Sequence, residues 1–242
     1  MRIGIFAKTF AGTSPAKVLT AAAEAGFASV QYNMACSGLS SLPEEISDEM
    51  AQAVATASKQ SGVAISAISA TYNMAHPSGA VRKAGRRSFA VIAAKAQAMG
   101  SNLLTLCTGS RDPNDQWRNH PQNSTSDAWG DMVQEFAHLI AIAEREDIYL
   151  GIEPELGNVV STPAKAAALI KEMQSNRLRI VFDAANLFEH AQAPDVRKLI
   201  EQGLDRLSDH IAKFGLYAKV NIFTLCNRYQ MSKLLHHIAP SI

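Results

Sequence analysis

Two acidic residues, Glu153 and Asp183, each close a short apolar run, YLGIEP and RIVFD, and lie thirty residues apart. That spacing holds one strand, one crossover helix and the next strand, so a parallel α/β fold brings both carboxylates out at the same end of neighbouring strands. Hard oxygen donors meeting there suit Mg²⁺ or Mn²⁺, and a histidine joining them would suit Mn²⁺, Co²⁺ or Zn²⁺. Taken singly, Asp183 would cap the turn after its strand and Glu153 would be a rim charge ahead of Pro154. Matched positions in successive units favour the shared site.

Other polar groups also follow apolar runs. Thr71-Tyr72-Asn73-Met74-Ala75-His76-Pro77 places Asn73 and His76 where they can bond the hydroxyls of a polar ligand, with Tyr72 as a flat wall. The same residues could simply build a turn. Further on, Thr108-Gly109-Ser110-Arg111-Asp112-Pro113 leads to Trp117, Arg118 and His120. Arg111 can grip a phosphate or carboxylate with two parallel hydrogen bonds. The loop from Thr108 to Ser124 is long for a βα connection, and with Trp117 and Trp129 nearby it reads as an ordered lid. Asn186, three residues past Asp183, is placed to reach the same mouth. His190 and His210 read as solvated or capping residues, and His236 and His237 as incidental.

The elements that must position these groups alternate regularly. Strands are predicted at 2–7, 29–32, 63–69, 102–107, 149–152 and 179–182, with helices at 14–25, 43–60, 81–99, 125–145, from 162 and at 194–211. Glu44 and Glu45 would suit the positive end of the second helix. Six βα units imply parallel strands with right-handed crossovers, in either a doubly wound sheet or a (β/α)8 barrel. No GxGxxG follows the first strand, which removes the main support for a dinucleotide fold. Polar residues gathered after several strands suit the barrel.

Composition sets outer limits. In 242 residues, 47% are hydrophobic and 19% charged, as in an ordinary globular chain. Twenty-three basic against twenty-two acidic residues leave no electrostatic footprint for nucleic acid. There is no apolar run long enough for a membrane span, and no signal-peptide pattern at the start. Three scattered cysteines, Cys36, Cys107 and Cys226, argue against a disulfide framework or zinc knuckle and for a reducing cytoplasm. Residues 211–242 stand apart: they hold Lys213, Lys219, Arg228 and Lys233 and no acidic residue, +4 against −3 for residues 1–210. The division expected is therefore a barrel domain over 1–210 and an atypical basic tail over 211–242.

The segments TYNMAHP, TLCTGSRDPNDQWRNHPQN, GIEPE and VFDAANLF together resemble the sugar phosphate isomerase/epimerase family. That family belongs with endonuclease IV to the xylose isomerase-like TIM barrels. The resemblance covers about residues 1–210 and implies an incomplete TIM (β/α)8-type barrel of about six βα units. It implies a divalent metal (Mn²⁺, Mg²⁺, Co²⁺ or Zn²⁺) held by Glu153, Asp183, a histidine after strand seven and a glutamate after strand eight. Glu153 would double as the catalytic acid–base group. Asn73, His76, Arg111, Trp117, His120, Glu155 and Asn186 would bind a small sugar or polyol.

The chain departs from the family at strand seven. Where a His-x-Lys-Asp run should follow His210, it reads KFGLYAKVNIFTL, and no acidic residue remains to serve as fourth ligand. The expectation is a truncated or frame-shifted ending on an enzyme-like body. Six strands would leave two open edges, which favours association into a homo-oligomer. The rival expectations are a non-catalytic polyol-binding remnant, an inosose dehydratase-like lyase and an endonuclease IV-like phosphodiesterase. The last would need more metal ligands and a basic groove.

Overall fold

The computed structural model describes residues 3–187 and 196–215, with side chains through Lys213. The expectations at His190, Lys219, Cys226, Arg228, Lys233, His236 and His237 lie outside the described residues. Seven parallel strands run in chain order across one curled sheet: β1 (Gly4–Phe6), β2 (Ser29–Tyr32), β3 (Ala64–Ser69), β4 (Leu103–Leu106), β5 (Tyr149–Ile152), β6 (Leu178–Asp183) and β7 (Ile211–Gly215). The helices between them are α1 (Pro15–Glu24), α2 (Asp48–Ser61), α3 (Gly79–Ala96), α4 (Ser126–Arg145), α5 (Pro163–Met173) and α6 (Val196–Leu207). This is an incomplete TIM-type barrel. None of these helices is long and apolar enough to cross a membrane.

Two features differ from the sequence reading. Ile211–Gly215, assigned there to the tail, pairs with β6 as a seventh strand. Ile211 and Phe214 are residue types that suit a strand, and the backbone of this segment pairs with β6 from Ile180 to Asp183. The second helix starts at Asp48 rather than Pro43 because the Ser47 side chain accepts from the Met50 backbone N–H (3.1 Å). Asp48 and Glu49, not Glu44 and Glu45, therefore occupy its first turn.

Strand side chains alternate between helix layer and barrel interior. A Cβ on Gly151 would sit 3.0 Å from Val181 and 3.2 Å from Leu103, so these three share the inner face. A Cβ on Gly203 of α6 would sit 3.0 Å from the Phe182 ring, which fixes the odd members of β6 (Val181, Asp183) inward. The helix layer is packed by residues such as Ile68, Leu104, Leu150, Ile152 and Ile180, all fully buried. On α4, Met132, Phe136, Leu139 and Ala143 recur at helical spacing and are likewise buried. Truncating Phe136 to Ala should lower unfolding stability by about 3–5 kcal/mol, measured as a shift of the urea midpoint at unchanged slope.

Candidate active site at the barrel mouth

Glu153 leaves β5 with its backbone N–H donating to Leu106 of β4 (2.8 Å), which continues the ladder and keeps its side chain on the Gly151 face. Asp183 ends β6 on the same face and is 1% exposed. One of its oxygens, Oδ1, accepts from the Ala185 N–H (2.9 Å), so it also caps the turn at Ala184–Leu187. That turn carries Asn186, whose Nδ2 donates to Glu153 Oε1 at 2.8 Å. The structure thus brings Glu153, Asp183 and Asn186 together.

The site is short of positive charge. Burial, then the charges of Asp183 and Glu155, push the Glu153 carboxyl up to about 7, while Lys213 and the Asn186 hydrogen bond oppose the shift. The neighbouring Cys107 thiol, at the end of β4, is raised well above its ordinary value by burial and by the same carboxylates, against a hydrogen bond from Thr71. Lys213 was missed by the sequence reading because it lay in the segment set apart as a tail. It pairs in register with Val181 and so faces the interior, where its Nζ donates to Gln31 Oε1 of β2 at 2.5 Å. The residue in register with Asp183 on β7 is Gly215, which offers no ligand. Among the described residues, no group of three histidine, cysteine or acidic side chains converges as a metal site.

The remaining expected binding residues mostly hold loops. Asn73 Oδ1 accepts from Ser110 N–H (2.9 Å) and its Nδ2 donates to the Asp112 carbonyl (3.5 Å). His76 accepts at Nδ1 from Ser78 N–H (2.9 Å) and meets the Pro113 carbonyl through Nε2 (3.2 Å). Arg111 is 8% exposed and bonds Asp131 of α4 (2.7 Å) and the Ala75 carbonyl (3.3 Å). His120 caps the turn at Pro121–Ser124, and Trp117 is half exposed. Glu155 stays partly exposed beside Glu153 and lies among its charged neighbours.

Two asparagines not singled out from sequence organise the rim. Asn123 Oδ1 accepts from Arg111 N–H (2.7 Å) while its Nδ2 donates to Gly157 carbonyl (2.9 Å). Asn158 Oδ1 accepts from Gly109 N–H (2.7 Å) and its Nδ2 donates to Gln116 carbonyl (3.0 Å). Both are buried, so these bonds are made away from water. They stitch the loops after β4 and β5 together, and Asn73 ties in the loop after β3. Gly109 has φ +76°, and a Cβ there would lie 2.1 Å from Asn73 Oδ1. Gly109→Ala should therefore loosen the loop after β4, seen as faster amide exchange over residues 108–124.

The raised Glu153 carboxyl also sets a pH signature. Its ordinary value is 4.5 and its folded value about 7, so the folded state holds this proton more tightly than the unfolded chain. The associated stability is complete below 4.5 and is lost as pH rises through about 7. Chemical denaturation across that interval should show stability falling with pH, and Glu153→Gln should flatten the fall.

Among curated proteins, none matches the sequence significantly. Solved structures do. A 3-keto-D-glucoside 4-epimerase from E. coli superposes with a TM-score of 0.73 at 13% identity, over 96% of this chain and 88% of its own. A D-psicose 3-epimerase solved with D-fructose gives 0.74 at 15% identity, over 100% and 82%. A probable 3-DHS dehydratase from Bacillus anthracis gives 0.68 at 12% identity, over 100% and 90%. At these identities the likeness is one of fold. The family profile described as xylose isomerase-like TIM barrel matches residues 19–222. With that match spanning most of its length, the chain belongs to the xylose isomerase-like TIM barrel family.

Proposed function

We propose that the chain is built for proton transfer next to the carbonyl of a sugar or related polyol, the reaction of a ketose isomerase or epimerase. The observation that carries this reading is the pairing of Glu153 and Asp183 on the inner face of adjacent strands, with Asn186 donating to Glu153. The family's structural neighbours include two sugar epimerases, which supports the same class.

Glu153 supplies the base. Its carboxylate removes the carbon-bound proton beside the carbonyl, and the electron pair moves onto the carbonyl oxygen as an enediolate. The same carboxyl then returns the proton to the former carbonyl carbon while the proton of the neighbouring hydroxyl passes to the enediolate oxygen, so the carbonyl moves by one carbon and the sugar is isomerised; inversion at one carbon needs a second group on the opposite face. Asn186 holds Glu153 Oε1 in place, so the other oxygen of the carboxylate is the one aimed at substrate.

The donor set fits a divalent cation in part. Burial first, and then the charges of Asp183 and Glu155, lift the Glu153 carboxyl to about 7, and a cation would relieve the second of these causes. Glu153 and Asp183 would hold it, and when bound it would polarise the sugar carbonyl and hydroxyl. The third and fourth ligands that the family resemblance implies are not among the described residues.

In D₂O, incubation with a panel of ketoses and their phosphates should place deuterium on the carbon beside the carbonyl, read by NMR. Glu153→Gln should cut that exchange at least about 100-fold with circular dichroism unchanged. Exchange that survives the substitution would remove Glu153 from its role. Loss of water from the substrate in place of proton return would mark a dehydratase instead.

A further inference from the structure

We propose that Lys213 is a resident cation of the carboxylate cluster, standing in for part of the charge that a divalent ion would supply and so weakening the site's hold on such an ion. The inference rests on the reading that Glu153 and Asp183 can clasp a cation.

Three observations carry it. Lys213 pairs in register with Val181, the residue two before Asp183 on the inner face of β6, so its stem rises along the same wall as the carboxylates. Its Nζ is anchored across the interior to Gln31 on β2, which holds a cation inside the barrel rather than at its rim. The β7 position in register with Asp183 is Gly215, which has no side chain, so the charge this strand brings to the interior is the Lys213 ammonium two residues earlier. The charges couple: Glu153 raises the Lys213 ammonium's proton affinity against the burial that pushes it down, and Lys213 lowers that of Glu153.

A positive charge beside a carboxylate attracts it as a metal does but repels a second cation. Lys213 therefore sets the cation preference of the mouth: as an ammonium it neutralises part of the cluster and makes divalent binding weak. Substituting a neutral side chain of similar length leaves the carboxylates short of charge and ready to take up Mn²⁺.

The experiment is isothermal titration of the full chain with Mn²⁺ alone. Lys213→Met and Lys213→Gln should each bind roughly tenfold or more tightly than the unaltered chain, and Lys213→Arg, which keeps the charge, should bind as weakly as the unaltered chain. Equal affinity across all four, or no binding by any of them, overturns the proposal. Adding Glu153→Gln and Asp183→Asn to the Lys213→Met chain should abolish binding. Mn²⁺ retained there would instead overturn the placement of the cation between the two carboxylates. Lys213→Gln keeps a group able to bond Gln31, which separates a loss of fold from a loss of charge.

Discussion

Carboxylates crowded at the end of a parallel sheet repel one another, and the barrel mouth is organised around that repulsion. Glu153 is withdrawn from water and sits beside Asp183 and Glu155, and burial first, then these charges, push its carboxyl up to about 7. A carboxyl so poised can take and return a proton at physiological pH, which an exposed glutamate does poorly. The fold tolerates this because only part of the charge is left uncompensated: Asn186 donates to Glu153, Ala185 N–H to Asp183, and Lys213 brings an ammonium from β7, the strand next to β6.

Holding these groups in place is a matter of strand geometry. Register between β5 and β6, with Ile152 opposite Ile180, sends Glu153 and Asp183 to the same face one step apart. Gly151 admits Val181 and Leu103 at close range beneath them, so the floor of the mouth is packed. Above, the buried amides of Asn73, Asn123 and Asn158 tie three loops into one rim. A separate network behind the rim, in which Tyr72 donates to Glu135 (2.8 Å) and Arg82 and Arg111 pair with Asp131, fastens the loop after β3 to α3 and α4. The polar residues of the first two loops thus serve mainly to hold the wall from which the acidic residues project.

Much of this was legible in the sequence because strands buried on both faces read as short, nearly continuous apolar runs. The runs before Glu153 and Asp183 are apolar and short, and the carboxylate at the end of each stands out. Asn186 was legible for the same reason, being one turn beyond Asp183. Arg111 and His76 show where such reading stops: a hydrogen-bonding side chain in a loop serves a ligand or the loop equally well, and only the partner's position decides. Asn123 and Asn158 were invisible because their partners are backbone groups of distant loops. Lys213 was missed because a charge imbalance over a long segment drew the boundary at residue 210, whereas the strand alternation of five residues carried the better signal.

Anomalous diffraction from a crystal soaked in Mn²⁺ would show whether Glu153 and Asp183 clasp one cation between them. A single peak shared by oxygens of both carboxylates at the end of β5 and β6 is expected. A peak on one carboxylate alone, or at some other place on the chain while these two point apart, would rule out the shared site.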